Sequence, residues 1–179
     1  MEKFIYLKQI SLTKELCDEI MENYEDDFEN KKYMFIINQL DTEYELSYLS
    51  NNKTKNHLIN ELNKNIIEYQ TKLNVPLFNN IKYHKFTMII KKYNAVEPNT
   101  NIDIIKVKNR IITFTKKINT LGFVWFLTDF HDEIVFWDNY KIKPTAGALL
   151  LFPVSWCFPY KEFVANNTQN FIIYGYISK

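Results

Sequence analysis

From about residue 80 onward the chain breaks into short runs: KYHKFTMIIKKY (82–93), RIITFTKK (110–117), GFVWFLTDF (122–130), EIVFWD (133–138), ALLLFP (148–153) and NFIIYGYIS (170–178). Each is rich in Ile, Val, Phe, Tyr and Thr, and turn-forming Asn, Pro, Gly and Asp separate them. β-Branched and aromatic residues fit a pleated, half-buried surface, so these runs predict strands. Strands at this spacing, with no helical pattern between them, predict an antiparallel barrel or a jelly roll. In KIKPTAGALLLFP, Lys143-Pro144 leads into a turn ending at Gly147, where the absence of a side chain relieves the backbone. The strand that follows stops at Pro153.

The first half has a different pattern. Leu16, Ile20 and Tyr24 share one face of an amphipathic helix with Cys17 and Met21 beside them, and Thr13 is placed as its N-cap. In KTKNHLINELNKNIIEYQTKL (53–73), Leu58, Leu62, Ile66, Tyr69 and Leu73 recur at helical spacing. Between these two helices, KKYMFIINQL (31–40) and YELSYLS (44–50) read as short extended segments. The expected fold is mainly β with flanking helices. Residues 1–78 form a helical and strand support, and 79–179 the jelly-roll core of one domain, a size that buries roughly two thirds of the unfolded surface.

Composition excludes several function classes. A formal net charge of +1 makes no electrostatic case for nucleic acid or an anionic membrane as partner. No run approaches the roughly 20 apolar residues that span a bilayer, and the opening MEKFIYLKQISLTKEL has too short an apolar stretch for a signal peptide. An intracellular protein is expected. Cys17 and Cys157 lie far apart without CxxC spacing and read as buried free thiols. With 3 glycines in the chain and no GxSxG or HExxH, a nucleotide-cradling loop or a hydrolase site is not expected. Of the 22 basic residues all but Arg110 are lysine, and Asn and Ile are frequent. Such usage suggests an A/T-rich coding sequence of a phage, a large virus or a low-GC microbe.

Several motifs in order give a resemblance. KPTAGALLLFPVSWCFP supplies Lys143-Pro144, Gly147, Leu149-Leu150-Leu151, Phe152-Pro153, Ser155-Trp156 and Phe158-Pro159. FLTDFHDEIVF supplies Leu127, Asp129, Phe130, Glu133 and Phe136. Together with SLTKELCDEIMENY (11–24) and IIKKYNAVEPNTNID (89–103), the chain resembles the 2-oxoglutarate and iron(II)-dependent oxygenases, in particular their prolyl 4-hydroxylase-like branch. The resemblance implies a double-stranded β-helix, a jelly-roll barrel flanked by helices. It also implies an HxD motif, a second histidine after the SWxFP turn, and a basic residue about ten positions later that holds 2-oxoglutarate.

At those positions this chain departs from the pattern. Iron(II) in such enzymes is held by two imidazoles and a carboxylate on one face. The matching residues here are Asn101, Asp103 and Tyr160, one carboxylate with a neutral amide and a phenol, both poor donors to a divalent ion. The basic residue is replaced by Asn170, and in a chain this rich in lysine, codon bias does not explain its loss. No metal or cosubstrate is therefore expected. His131-Asp132-Glu133 forms an H-x-E, but no histidine follows it, and His131 aligns with a turn glycine. His57 at the front of the second helix and His84 in a strand read as surface or hydrogen-bonded histidines. Lys91-Lys92 and Lys116-Lys117 read as charged pairs protecting strand edges, and the aromatic residues as mainly core.

The leading expectation is a non-catalytic oxygenase fold acting as a binding or structural module for protein partners, a virion assembly among them. Trp156, Phe158 and Tyr160 at the barrel mouth would form an interaction surface. The alternative is an active dioxygenase that uses iron(II) and 2-oxoglutarate to hydroxylate a protein side chain or a small molecule. A third is a carbohydrate- or peptide-binding jelly roll of other descent.

Overall fold

Thr13 starts the first helix as its position predicts. Its backbone is extended (φ −75°, ψ 157°), and its Oγ1 accepts the Leu16 N–H at 3.3 Å, capping α1 (Lys14–Glu29). The computed structural model describes residues 2–30, 36–37, 41–46, 52–76, 85–93, 120–130, 133–137, 139–154, 160–161 and 169–178. α1 buries Cys17, Ile20 and Tyr24, and α2 (Asn52–Leu73) buries Leu58, Leu62, Ile66 and Tyr69. Burial pushes the Cys17 thiol up to about 11, so it is packed as an unreactive hydrophobe.

The strands are β1 (Tyr6–Lys8), β2 (Ile36–Ile37), β3 (Asp41–Glu45), β4 (Lys85–Tyr93), β5 (Thr120–Phe126), β6 (Ile134–Phe136), β7 (Tyr140–Ile142), β8 (Leu149–Pro153), β9 (Tyr160–Lys161) and β10 (Asn170–Ser178). They form a sheet in the order β1-β8-β5-β10-β4-β3-β2 and a second in the order β7-β6-β9, every pairing antiparallel. From β5 onward the chain winds between the two sheets, which is the course of a double-stranded β-helix. β1, β2 and β3, from the first half of the chain, extend the larger sheet.

Period-two alternation splits the apolar residues into two cores. Met88 and Ile90 of β4, Phe123 and Trp125 of β5, and Phe171, Ile173 and Ile177 of β10 pack with the buried residues of both helices. Tyr93, Val124, Phe126, Leu150, Phe152 and Ile172 instead meet Ile134, Phe136 and Ile142 of the second sheet, forming the barrel interior. β4 lies between β10 and β3, so Lys91-Lys92 is not the edge doublet its charge suggests. The same alternation sends Lys92 to Glu25 on α1 and Lys91 to the barrel face.

A polar network fixes α2 on the sheet. The buried Asn65 Oδ1 accepts from the Tyr6 hydroxyl at 3.3 Å, and its Nδ2 donates to Ser11 Oγ at 3.2 Å and to the Glu61 carbonyl at 2.8 Å. Asn65→Ala leaves the Tyr6 hydroxyl without this acceptor and is expected to cost about 1–3 kcal/mol, measured by urea denaturation. Gly147 has φ +81°, and a Cβ there would lie 2.3 Å from the Leu12 carbonyl oxygen, so the glycine of the predicted turn is sterically required. Its own carbonyl accepts the N–H groups of Ser11 and Leu12 at 2.9 and 3.0 Å, joining the turn to the start of α1. No helix among the described residues is long and apolar enough to cross a membrane.

Candidate functional site

β10 begins at Asn170, opposite Tyr93 at the end of β4. Asn170 shares the barrel face with Ile172 and Tyr174 and is 3% exposed. Its Oδ1 accepts from Thr128 Oγ1 at 3.0 Å, and Thr128 Oγ1 in turn accepts the Phe171 N–H at 3.2 Å. The amide is thereby tied to the segment that leaves β5.

Two residues back along β4 lies Lys91, 6% exposed, opposite Ile172 on one side and Glu43 of β3 on the other. Its Nζ is 3.6 Å from Glu43 Oε2 and stands over the Tyr93 and Tyr174 rings at 5.3 and 5.7 Å. The Tyr174 hydroxyl donates to the same Glu43 oxygen at 2.9 Å. Burying an ammonium is costly unless it is paired, and here a carboxylate and two aromatic faces contribute to the pairing.

Aromatic rings occupy the interior beyond this cluster. Tyr93 meets Phe130 edge-on at 6.2 Å, Phe130 meets Phe126 at 5.4 Å, and Phe136 meets Phe152 at 5.5 Å. Trp137, with φ +50°, packs on Phe136 at the turn into β7. Asp129 has a structural task, its Oδ1 accepting the Ala146 N–H at 2.8 Å beside the Gly147 turn.

Of the residues singled out from sequence, Tyr160 opens β9, its Cα opposite Phe136 of β6 in the second sheet. His57 is exposed on α2, and Glu133 pairs with Lys141 at the surface at 3.2 Å. Asn101, Asp103, His84, His131, Trp156, Cys157, Phe158 and Lys116-Lys117 lie outside the described residues. Among the described residues no group of three or more His, Cys, Asp or Glu side chains converges. The Lys91, Glu43 and Tyr174 cluster escaped the sequence reading. Its signal is the alternation of Ile89, Lys91 and Tyr93, which puts the lysine on the face of two large hydrophobes.

No family model matches the chain, and no curated protein matches it by sequence. Its shape does match solved structures. It is similar to a prolyl-4-hydroxylase of Pseudomonas putida, with 11% identity, a TM-score of 0.62, and coverage of 98% of this chain and 93% of that one. It is also similar to the viral collagen prolyl hydroxylase of Paramecium bursaria Chlorella virus-1 solved with 2-oxoglutarate, with 12% identity, a TM-score of 0.61, and coverage of 98% and 96%. A third similar structure is the Arabidopsis thaliana dioxygenase for auxin oxidation 1, also with 2-oxoglutarate, with 9% identity, a TM-score of 0.63, and coverage of 98% and 83%. The chain therefore has the jelly-roll, double-stranded β-helix fold that these solved structures share.

Proposed function

We propose that this chain uses the oxygenase fold without oxygenase turnover, as a module that binds protein partners. The observation that carries the reading is Asn170. At the position the resemblance gives to a keto-acid-binding cation stands a neutral, buried amide engaged by Thr128. An amide lacks the positive charge that makes pairing with a carboxylate strong. The donor set points the same way, because Asn101, Asp103 and Tyr160 offer one carboxylate and no imidazole. These residues do not fit iron(II) with 2-oxoglutarate. In this reading Tyr160 stands at the sequence position of the second histidine. The partner surface is Trp156, Phe158 and Tyr160, with a virion assembly as the partner class that the A/T-rich residue usage suggests.

One observation favours the alternative of an active dioxygenase. Lys91 provides a cation on the barrel face, one strand over from Asn170. Its charge is balanced by Glu43, which weighs against its holding a keto acid. The two readings separate in one experiment. Purified protein is given iron(II) or manganese(II) with 2-oxoglutarate, and succinate release and thermal shift are followed. The expected result is no succinate above the protein-free control and no shift with either addition. Stoichiometric metal binding with 2-oxoglutarate-dependent succinate release would overturn the proposal.

A further inference from the structure

The Lys91 side chain is 8% exposed, and its carboxylate partner Glu43 is 18% exposed. A lysine ammonium in such a place needs compensation, and strand register supplies it, since Glu43 lies directly opposite Lys91 in the β3–β4 pairing. The Glu43 carboxylate lies 3.6 Å from the Lys91 ammonium as an ion pair and accepts from the Tyr174 hydroxyl at 2.9 Å. The Tyr93 and Tyr174 rings flank the ammonium. Two strands, β4 and β10, thus deliver to one spot a cation and a hydroxyl donor, the groups that would hold a free carboxylate, with two aromatic faces around the cation, and β3 brings the carboxylate that meets them. Lys92, the neighbouring charge on β4, points to the opposite face and pairs with Glu25, so it does not compete for Glu43.

We infer that Glu43 is a built-in ligand: its side chain fills, from within the chain, a small-monocarboxylate site made by Lys91 and Tyr174. The wild-type site is occupied in cis, which keeps external acids out. In this last respect the inference rests on the non-turnover reading above. Removing Glu43 beyond Cβ takes away the equivalent of one acetate and leaves the cation and the hydroxyl in place. The Glu43→Ala protein should then accept acetate in trans.

The test compares the wild type, Glu43→Ala and the double variant Glu43→Ala/Lys91→Met by thermal melting at pH 7. Sodium acetate is the probe, with sodium chloride at equal ionic strength and neutral acetamide as controls. Glu43→Ala is expected to melt about 5–10 °C below the wild type. Acetate should restore most of that loss saturably in Glu43→Ala and do nothing for the wild type or the double variant. An equal response in all three proteins, or none in Glu43→Ala, overturns the inference. If Glu43→Ala does not fold, a cycle of Glu43→Gln, Lys91→Met and the pair replaces it. A double loss well below the sum of the single losses is then expected, and additivity overturns the inference. Neither arm contains metal or keto acid, so failure here and failure of the non-turnover reading are distinguishable.

Discussion

Gly175→Ala is expected to cost about 4 kcal/mol and to lower the melting temperature by about 8–16 °C. Gly175 lies mid-strand in β10, paired with Met88 of β4 on one side and Phe123 of β5 on the other. A Cβ at this position would sit 1.9 Å from the Thr87 carbonyl oxygen and 2.8 Å from the Phe123 ring. The ring could turn aside. The carbonyl could not, because it belongs to a strand held in register from Lys85 to Tyr93. Relief therefore requires β4 and β10 to separate, and both carry residues of the two cores. Gly122→Ala is the internal comparison. Its Cβ would meet side-chain atoms, Val154 Cγ2 at 2.8 Å and the Phe152 ring at 3.2 Å, which can shift, so about 1–2 kcal/mol is expected. Urea denaturation of the two variants checks the order. Equal losses would mean that backbone contact does not set the cost at Gly175.

What the sequence displayed of this fold was whatever local chemistry or a long alternation can signal. Thr13 marks α1 because an N-cap is made within one turn, and Gly147 marks its turn because φ +81° favours glycine. β4, β5, β8 and β10 are long enough to declare themselves by composition. β1, β7 and β9 are not. Tyr6-Leu7-Lys8, Tyr140-Lys141-Ile142 and Tyr160-Lys161 carry too few residues for a period, and they are strands because β8 and β6 pair with them. The Lys91-Lys92 doublet misleads for a related reason. Two adjacent charges suggest solvent, yet in a strand covered on both faces neighbours must point to opposite sides. Its partners, Glu43 and Glu25, come from β3 and α1, and no local pattern announces them. Counting onward from Tyr160 reaches Asn170 by sequence alone, but only the structure shows what engages its amide.

Trp125→Ala is the other substitution with a large expected effect, about 4–5 kcal/mol, because it removes packing and polar anchoring together. The indole is fully buried on the helix side of β5 and meets Phe123 edge-on at 5.6 Å. Its Nε1 donates to Ser11 Oγ at 3.0 Å, the same oxygen that accepts from Asn65. A hydroxyl oxygen has two acceptor sites, so Ser11 can serve both donors and link the sheet to α2. Trp125→Phe should keep most of the packing and cost about 1–2 kcal/mol for the lost donor. Trp125→Phe and Ser11→Ala should therefore be non-additive, the pair costing less than the sum because each breaks the same bond. Chemical denaturation of the single and double variants measures this coupling. If the costs add, the indole acts through its volume alone and the Ser11 link contributes nothing. Non-additivity would instead make this bridge part of what holds α2 against the larger sheet, whose opposite face lines the barrel.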